Sequence, residues 1–355
     1  MSEKMIAYIQ SQPHVWRAAA GALPGALRTA LGAMNGGETP RRVVMVGSGS
    51  SHYACRTVCA LAAGGACEFF SAVPTRMGPL LPPRPGTVWW AVSQSGKSTS
   101  TLRAVRALRE AGGEVWTFTA DPASPLAQCG DGHVCIPCGD ETVGPKTKGV
   151  STTILTLWLA AHALAAGAPP EEGLHPLAPA FGAAQENLRL CRTWAENCTD
   201  ALLRAPCLTL VAEGPALPLA EEGALKLLET LYVPAQAWEF EEYLHGVNNI
   251  IGPGQVHLFV LRGGERRARM ERLIEYCAGR GAVCLCIDCA AARPCADGLR
   301  LALRCTGEPQ ALAFELLPAF QMLSAVVSAA KGIECDRPRY PDFYAALDTK
   351  AGAQR

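Results

Sequence analysis

The chain repeats itself: three short apolar runs, each with the length of a buried strand, occur twice in the same order. The matched pairs are VVMVGSG (43–49) with LTLVAEG (208–214), TVWWAVSQSG (87–96) with QVHLFVLRGG (255–264), and GGEVWTFTAD (112–121) with GRGAVCLCID (279–288). The offset between the members of a pair stays between 165 and 168 residues. So constant an offset predicts two domains of the same fold.

Helical stretches separate the apolar runs in both halves. STLRAVRALREAGG follows the second run, RMERLIEYCAGRG follows its partner, and ENLRLCRTWAENCTDALL lies where the halves join. Alternating strands and helices are typical of parallel sheets covered by helices on both faces. We therefore expect an α/β protein of two tandem three-layer domains, residues 1–195 and 196–355.

Composition excludes several classes of protein. The 355 residues carry a formal net charge of +0, which argues against a nucleic-acid partner or an acidic membrane surface. The opening MSEKMIAYIQSQPHVW lacks the apolar centre of a signal peptide, so we expect a cytoplasmic protein whose 16 cysteines are reduced.

The longest apolar stretch, ILTLWLAAHALAAGAP, falls short of the about 20 residues that cross a bilayer and predicts a buried helix. In CLCIDC the cysteines alternate with apolar residues as in a buried strand, and we expect no metal site.

Two turns of the first half are rich in hydroxyl groups: GSGSSH (47–52) and SQSGKSTS (93–100). Each follows an apolar run and precedes a helical stretch, at the edge where open α/β sheets bind ligands. Backbone N–H groups at a helix N-terminus, together with serine hydroxyls, bind an anion well. The dinucleotide fingerprint does not fit, because His52 stands at its third glycine, and no Walker sequence occurs. The turns predict a site for a single phosphate; the alternative is two ordinary N-capping turns.

The matching turns of the second half have lost the serines. The stretch that follows the first of them, LAEEGALKLLETLYVPAQAWEFEEYLHG, carries charges instead. Glu222, Lys226 and Glu229 fall on one face of a predicted helix, which Gly223 keeps narrow enough for a close neighbour. His245 follows in an acidic segment, and a carboxylate with a histidine can move protons near neutral pH. From these residues alone, a solvated helix face is the commoner explanation.

Together these motifs resemble the sugar isomerase (SIS) domain family, and in particular the isomerase half of glucosamine-6-phosphate synthase. The resemblance spans essentially the whole chain, and its segments keep the family's order: YIQSQPHVWR, GSGSSHYA, SQSGKSTST, TKGVSTTILTL, EEGALKLLETLYVPAQAWEFEEYLHG and KGIECDRPR. It implies two tandem SIS domains, each with a five-stranded parallel sheet, in a homodimer that binds a hexose 6-phosphate derivative. It implies no cofactor.

The resemblance also implies roles for individual residues. The phosphate would be held by Ser48, Gly49, Ser50, Ser51, Ser93, Gln94, Ser95 and Ser98. Glu229 would be the base that moves a proton between C1 and C2 of the sugar. His245 would open the sugar ring, in dimers often from the other subunit.

Lys350 is a third catalytic candidate, and Glu222, Lys226 and Lys148 are predicted to bind the substrate or support the site. Glu222 and Lys226 match positions that support the site. Lys350, eleven residues after Arg339, is the candidate for the family's C-terminal lysine, which forms a Schiff base with the open ketose. VGPKTKGV departs from the family's small-residue loop and adds Lys146 beside Lys148. From this departure we expect the two lysines to meet a second negative group, such as the carboxylate of an amino-acid moiety.

The resemblance leaves several activities open. The SIS pattern starts at once and residue 2 is Ser2, so we expect no glutamine-dependent synthesis. A deglycase would cleave the C–N bond of a 6-phosphofructosamine or 6-phosphoglucosyl-amine, a deaminase would convert glucosamine 6-phosphate to fructose 6-phosphate and ammonia, and a ketose–aldose isomerase would only move the proton. The acidic WEFEEYLHG segment has the charge to hold a lysine-type ammonium and favours the deglycase. A non-catalytic sugar-phosphate sensor is a further alternative, and the presence of Glu229 and His245 argues against it.

Overall fold

The computed structural model describes residues 3–78 and 82–352. It divides the chain into two compact units, each assembled from three segments. The N-terminal unit consists of His14–Glu141, Lys148–His175 and Pro338–Arg355, and the C-terminal unit consists of Met1–Pro13, Thr142–Thr147 and Pro176–Arg337. The outermost residues of the two predicted domains, 1–2 and 353–355, lie outside the described residues.

The N-terminal unit is built on a sheet of five parallel strands, as predicted. The strands are β1 (Arg42–Val46), β2 (Glu68–Ala72), β3 (Thr87–Val92), β4 (Glu114–Thr119) and β5 (Gly132–Cys135), in the order β2-β1-β3-β4-β5. The helices are α1 (Glu3–Ala33), which begins in the other unit, α2 (Ser50–Leu61), α3 (Thr99–Glu110) and α4 (Lys148–Ala166). Strands β1, β3 and β4 are buried along almost their whole length, as expected for strands covered on both faces.

The C-terminal unit repeats this topology. Its helices are α5 (Ala178–Leu203), α6 (Ala216–Leu231), α7 (Phe240–Leu244), α8 (Arg267–Ala278) and α9 (Leu312–Ala330), and α10 (Phe343–Ala346) returns to the N-terminal unit. Its strands are β6 (Leu208–Ala212), β7 (Ala235–Glu239), β8 (Val256–Leu261), β9 (Val283–Asp288), β10 (Cys295–Asp297) and β11 (Arg300–Ala302).

Short 3-10 turns occur in both units, at Met34–Gly37, Pro74–Arg76, Pro170–Leu177, Val247–Ile250 and Pro309–Ala311.

The strand order of this second sheet, β10-β11-β9-β8-β6-β7, confirms the duplication read from the sequence. Strands β7, β6, β8, β9 and β11 occupy the places that β2, β1, β3, β4 and β5 occupy in the first sheet. One detail differs from the five-stranded expectation: β10 adds a sixth, antiparallel strand at the edge. The reason is local, because the chain turns back tightly at Gly298, whose φ is +53°, before entering β11.

The structure corrects the predicted boundary between the two domains. Residues 195 and 196 lie inside α5, which belongs entirely to the C-terminal unit and packs extensively against α9. The chain ends also change units, because the first 13 residues belong with the C-terminal unit and the tail from Pro338 belongs with the N-terminal one. The tail belongs to the N-terminal unit because backbone hydrogen bonds join it to the turn before α3. Sequence periodicity carries no trace of such long-range pairing.

Two apolar helical segments, Lys148–Ala166 and Pro309–Ala330, are long enough to cross a membrane by composition alone. In the fold, 83% and 94% of the most apolar 18-residue stretch of each segment is buried. The stretch ILTLWLAAHALAAGAP is therefore the core helix that it predicted, and it ends as α4 at Ala166. All sixteen cysteines are free thiols, and within the described ranges no three His, Cys, Asp or Glu side chains gather as a metal site.

Candidate active site

The first hydroxyl-rich turn connects β1 to α2, as predicted. Gly49 has a φ of +56° and immediately precedes the helix, a conformation that favours glycine. Ser48 is exposed, whereas Ser50 and Ser51 are half-buried in the first turn of α2. At Gly47 a Cβ atom would come within 3.1 Å of Ser51, so the strand enters the helix too closely for a side chain. The turn thus presents backbone N–H groups and hydroxyls at the carboxyl end of the strand.

The second hydroxyl-rich turn connects β3 to α3 and is rigidly held. The Gly96 N–H donates to the Ser93 carbonyl at 2.9 Å, and the Leu126 N–H donates to the Gly96 carbonyl at 3.0 Å. Gly96 has a φ of +63°, and a Cβ atom there would overlap Ser124. Both the backbone conformation and the space therefore require glycine at this position. A turn so constrained fixes the backbone positions of its serines.

The two turns meet, because β1 and β3 are neighbours in the sheet. The hydroxyl oxygens of Ser48 and Ser100 lie 3.3 Å apart, and those of Ser100 and Ser98 lie 3.2 Å apart. The Thr101 hydroxyl, which is fully buried, donates to Ser98 at 3.1 Å. Ser100 was not among the predicted binding residues, although it lies in the STS run two positions after Ser98. These four residues form one hydroxyl cluster, and that is more than two separate N-capping turns would require.

Gln94 lies against the start of α4, in the same unit. Gly149 follows Lys148, and a Cβ atom on it would come within 2.6 Å of Gln94 Nε2. The Gly149 N–H donates to Glu141 Oε2 at 3.0 Å. Lys148 itself is only 9% exposed, and a Cβ atom added at Gly139 would lie 3.6 Å from its Nζ. Lys148 is thus a buried cation at the start of α4, with a carboxylate, Glu141, bound to the next residue.

The C-terminal tail places Lys350 at the same turn. The Thr99 N–H donates to the Thr349 carbonyl at 3.2 Å, and the Ala351 N–H donates to the Lys97 carbonyl at 2.8 Å. Ser98 and Lys350 consequently face each other in an isolated antiparallel bridge. The Lys350 Nζ lies 3.9 Å from the centre of the Tyr344 ring, a cation–π contact.

A second contact anchors this tail. Arg103 of α3 forms an ion pair with Asp348 at 2.7 Å, and the Thr99 hydroxyl donates to the Asp348 carbonyl at 2.6 Å. The pair itself is exposed and contributes little stability. Because Asp348 directly precedes Thr349, the two contacts set the register in which Lys350 meets Ser98.

In the C-terminal unit, α6 brings three charged side chains together, and two of them are buried. Lys226 is 1% exposed and its Nζ lies 2.5 Å from Glu229 Oε2 and 3.4 Å from Glu222 Oε1. Burial acts to lower the pKa of Lys226, but the two carboxylates outweigh it and raise that pKa above its ordinary value. The Glu229 side chain remains 35% exposed. The solvated helix face is therefore excluded, since two of the three charges are inside the protein.

Close helix packing explains how these charges come to be buried. A Cβ atom at Gly223 would come within 2.6 Å of the Phe320 ring, so α6 and α9 touch at this glycine. The two helices make one of the most extensive contacts of the unit. The narrow helix face predicted from Gly223 therefore receives a neighbouring helix.

His245 lies at the C-terminal end of α7 and is exposed. The backbone N–H of His245 donates to the Glu242 carbonyl at 3.1 Å. Across the described residues no hydrogen bond joins His245 to Glu229.

The acidic segment before His245 is occupied by contacts within the protein. Glu239 accepts the N–H groups of Glu241 and Glu242 at 2.5 and 3.2 Å and so caps α7. Glu241 pairs with Arg269 at 2.5 Å, and this hydrogen bond lowers the pKa of Glu241. Arg266 lies 3.8 Å from Glu239. The expectation that these glutamates hold an ammonium of the substrate loses support, because two of them already have arginine partners.

Comparison with known proteins defines the class. The SIS domain model matches residues 39–163 and 202–330. The chain therefore belongs to the SIS domain family and carries two copies of the domain. Among its relatives, the isomerizing glutamine–fructose-6-phosphate aminotransferase of Pyrobaculum aerophilum is 30% identical over 256 residues, which cover 70% of this chain and 42% of that protein. The chain spans about half the length of the curated relatives it matches.

Solved structures share the whole two-domain architecture. A Clostridium difficile 630 protein assigned as a phosphosugar isomerase has a TM-score of 0.86 at 20% identity, covering 98% of this chain and 99% of its own. The glucosamine-6-phosphate deaminase of Thermotoga maritima has a TM-score of 0.73 at 19% identity, covering 95% of this chain and 98% of its own. At these identities the likeness establishes the fold. Fold and family together confirm the predicted tandem SIS domains.

Proposed function

We propose that this chain is a phosphosugar enzyme that cleaves the C–N bond of an aminated hexose 6-phosphate. The observation that carries the proposal is the hydroxyl cluster of Ser48, Ser98, Ser100 and Thr101 at the ends of two adjacent strands. Hydroxyls and helix N-terminal N–H groups without a triphosphate loop suit one phosphate. The phosphate anchors the sugar, and its binding energy supports the reaction at C1 and C2.

The chemistry falls to Glu229, His245 and Lys350. His245 would protonate the ring oxygen as the sugar opens, and Glu229 would carry the C2 proton to C1. For a 2-amino aldose, this transfer leaves an imine at C2, which water converts to the ketone and a free amine. The amine of Lys350 could take part by attacking C2, releasing ammonia and forming a Schiff base that water then hydrolyses.

Two leaving groups are compatible with this reaction, and the geometry supports ammonia best. Lys350 bridges to Ser98, so a candidate Schiff-base lysine lies at the predicted phosphate turn. The glutamates that favoured an amino-acid substrate are engaged by Arg266 and Arg269. The fold is shared with a protein named as a glucosamine-6-phosphate deaminase. We therefore place glucosamine 6-phosphate first among the substrates, acted on by a cytoplasmic homodimer.

The deglycase favoured by the sequence remains the second candidate, on one observation. Lys148 is a buried cation at the start of α4, where Gly149 lies against Gln94 of the second turn. An amino-acid moiety attached to the sugar would bring a carboxylate for such a cation. Fructoselysine 6-phosphate and glucoselysine 6-phosphate are substrates of this kind.

One experiment separates the candidates. The protein is incubated with glucosamine 6-phosphate or with fructoselysine 6-phosphate, and hexose 6-phosphate, ammonia and free lysine are quantified. Ammonia and fructose 6-phosphate from glucosamine 6-phosphate alone support the deaminase. Lysine release, with glucosamine 6-phosphate left intact, would establish the deglycase instead. Binding of both sugars with no product would identify a sensor.

A further inference from the structure

The C-terminal unit contains a cavity of its own, at the carboxyl edge of its sheet. The cavity measures about 680 Å3. It is lined by Arg262 after β8, Cys289 after β9, Arg304 to Thr306 after β11, and Glu315 in the first turn of α9. Strands β8 and β9 are the repeats of β3 and β4. The cavity thus lies where the second hydroxyl-rich turn lies in the N-terminal unit, although the serines there have been replaced.

Arg262 gives this cavity a positive charge. The arginines around it are engaged by carboxylates: Arg266 pairs with Glu213 at 3.3 Å, and Arg267 pairs with Asp288 at 2.8 Å. Arg262 is half-buried, and within the described ranges its guanidinium makes no hydrogen bond or ion pair. A guanidinium at the mouth of a cavity is well suited to a phosphate or carboxylate, because it offers two parallel donors.

Glu315 gives the same cavity a buried acceptor. It is 1% exposed, and its Oε1 accepts the Thr306 N–H at 2.7 Å. Within the described part of the chain, its second oxygen has no hydrogen-bond partner. Burial raises the pKa of Glu315, and the Thr306 N–H, the Cys305 thiol and the Arg262 charge only partly offset that effect. A buried oxygen without a partner is costly, so it indicates a donor supplied by a bound molecule.

We propose that this cavity is a second ligand site, separate from the hydroxyl cluster, which binds a phosphorylated sugar. Arg262 holds the phosphate, and the second oxygen of Glu315 accepts a hydrogen bond from a sugar hydroxyl. The volume suits a ligand of that size, since small-molecule sites measure about 300–1,000 Å3. The duplication thus retains a ligand site in both halves, built on serines in one and on an arginine–glutamate pair in the other.

The test counts sites by titration calorimetry of the full chain with glucose 6-phosphate. We expect two sites per chain in the wild type. Replacing Ser98 and Ser100 together by Ala should remove one, and Arg262→Gln should remove the other. A single site that is lost in the serine variant and unaffected by Arg262→Gln would overturn the second site while leaving the proposed function intact. Arg280→Gln, an exposed arginine that stacks on Tyr276, is the matched control.

The chemical class is tested in the serine-to-alanine background, where only the second site remains. Arg262→Gln should weaken glucose 6-phosphate and inorganic phosphate alike, by about tenfold or more. Glu315→Gln should weaken only glucose 6-phosphate, because inorganic phosphate does not reach the carboxylate. Equal affinity for both probes, or no effect of Glu315→Gln on the sugar phosphate, would overturn the assignment to a phosphorylated sugar. Arg262→Lys, which keeps the charge, replaces Arg262→Gln if the latter fails to fold.

Discussion

Glu229 differs from the other charges of α6 in one respect that bears on catalysis. Lys226 and Glu222 are buried, whereas the Glu229 side chain is 35% exposed and still touches Lys226. A buried cation fixed between two carboxylates orients the exposed one without neutralising it completely. The arrangement gives one glutamate a defined position and access to a ligand, and both are needed for proton transfer.

Replacing Glu229 by Gln tests that role directly. The amide keeps the contact with Lys226 but cannot take a proton, so we expect kcat to fall by about a hundredfold or more while KM changes little. Steady-state kinetics with glucosamine 6-phosphate measures both constants. Glu196→Gln, which breaks an exposed ion pair with Arg192, should leave both constants unchanged. A fully active Glu229→Gln variant would remove this residue from the mechanism.

Gly96 is a residue at which the turn tolerates no side chain. Gly96→Ala combines a positive φ with an overlap onto Ser124, and we expect it to lower the free energy of unfolding by about 3 kcal/mol. Gly112→Ala is the matched control: its φ is +80° and nothing lies within 4 Å, so it should cost only about 1 kcal/mol. Denaturant titration of both variants gives the comparison. Equal losses would show that the Ser124 contact does not constrain the turn.

At the scale of secondary-structure elements, the C-terminal tail pairs with the second hydroxyl-rich turn. Thr349 and Ala351 add a short antiparallel pairing to the segment that begins α3, and Ala351 also packs on the core of the N-terminal unit. The Thr349 carbonyl of the tail thus accepts the Thr99 N–H, one of the N–H groups at the start of α3. Its effect is to hold the Lys350 residue next to the turn that carries the hydroxyl cluster.

Borohydride trapping tests whether Lys350 forms a Schiff base. In the presence of fructose 6-phosphate and borohydride, the wild type should gain the mass of a reduced hexose phosphate adduct on Lys350, located by peptide mass spectrometry. Lys350→Arg retains the charge but should not form this adduct, because a guanidinium does not form the imine. Lys97→Arg, in the same turn, should be labelled normally. An adduct on Lys148 or Lys226 would assign the chemistry to a different lysine.

At the scale of the whole molecule, the two copies of the fold carry different side chains at the ends of their strands. The N-terminal unit carries the hydroxyl cluster and Lys350. The C-terminal unit carries the three charged residues of α6, His245 and the cavity lined by Arg262. The two halves keep the same strand order although their turns have diverged. Parallel strands bring their carboxyl ends to one edge, so each copy of the fold can change its turns independently of its core.

A mixing experiment tests the proposed dimer and the exposed position of His245. If His245 acts on the site of the partner subunit, inactive Glu229→Gln and His245→Ala proteins should regain activity when mixed after reversible dissociation. Random pairing makes half of the dimers mixed, each with one intact site, so we expect about a quarter of wild-type activity. Light scattering establishes the dimer independently. No recovery, despite verified exchange of subunits, would place His245 at a site within its own chain.

Much of this arrangement could be predicted from the sequence, because the signals are local. Apolar runs followed by serine-rich turns located Ser48 and Ser98, and helical spacing put Glu222, Lys226 and Glu229 on one face. The failures are non-local. Ser100 was missed, because its contact with Ser48 joins turns that follow two different strands, and the glutamates near His245 were read without Arg266 and Arg269, which pair with them.

By itself the sequence determined the tandem α/β architecture, three matched strands in each half and the residue types at each turn, since these depend on periodicity and on short-range conformational preference. Tertiary structure alone decided which of those residues are buried, which hydroxyls meet, where the tail docks and where a cavity opens. The physical reason is that burial and contact depend on neighbours distant in the chain. The same motif, E-x-x-x-K-x-x-E, reads as a solvated helix face until Phe320 packs against Gly223 and encloses it.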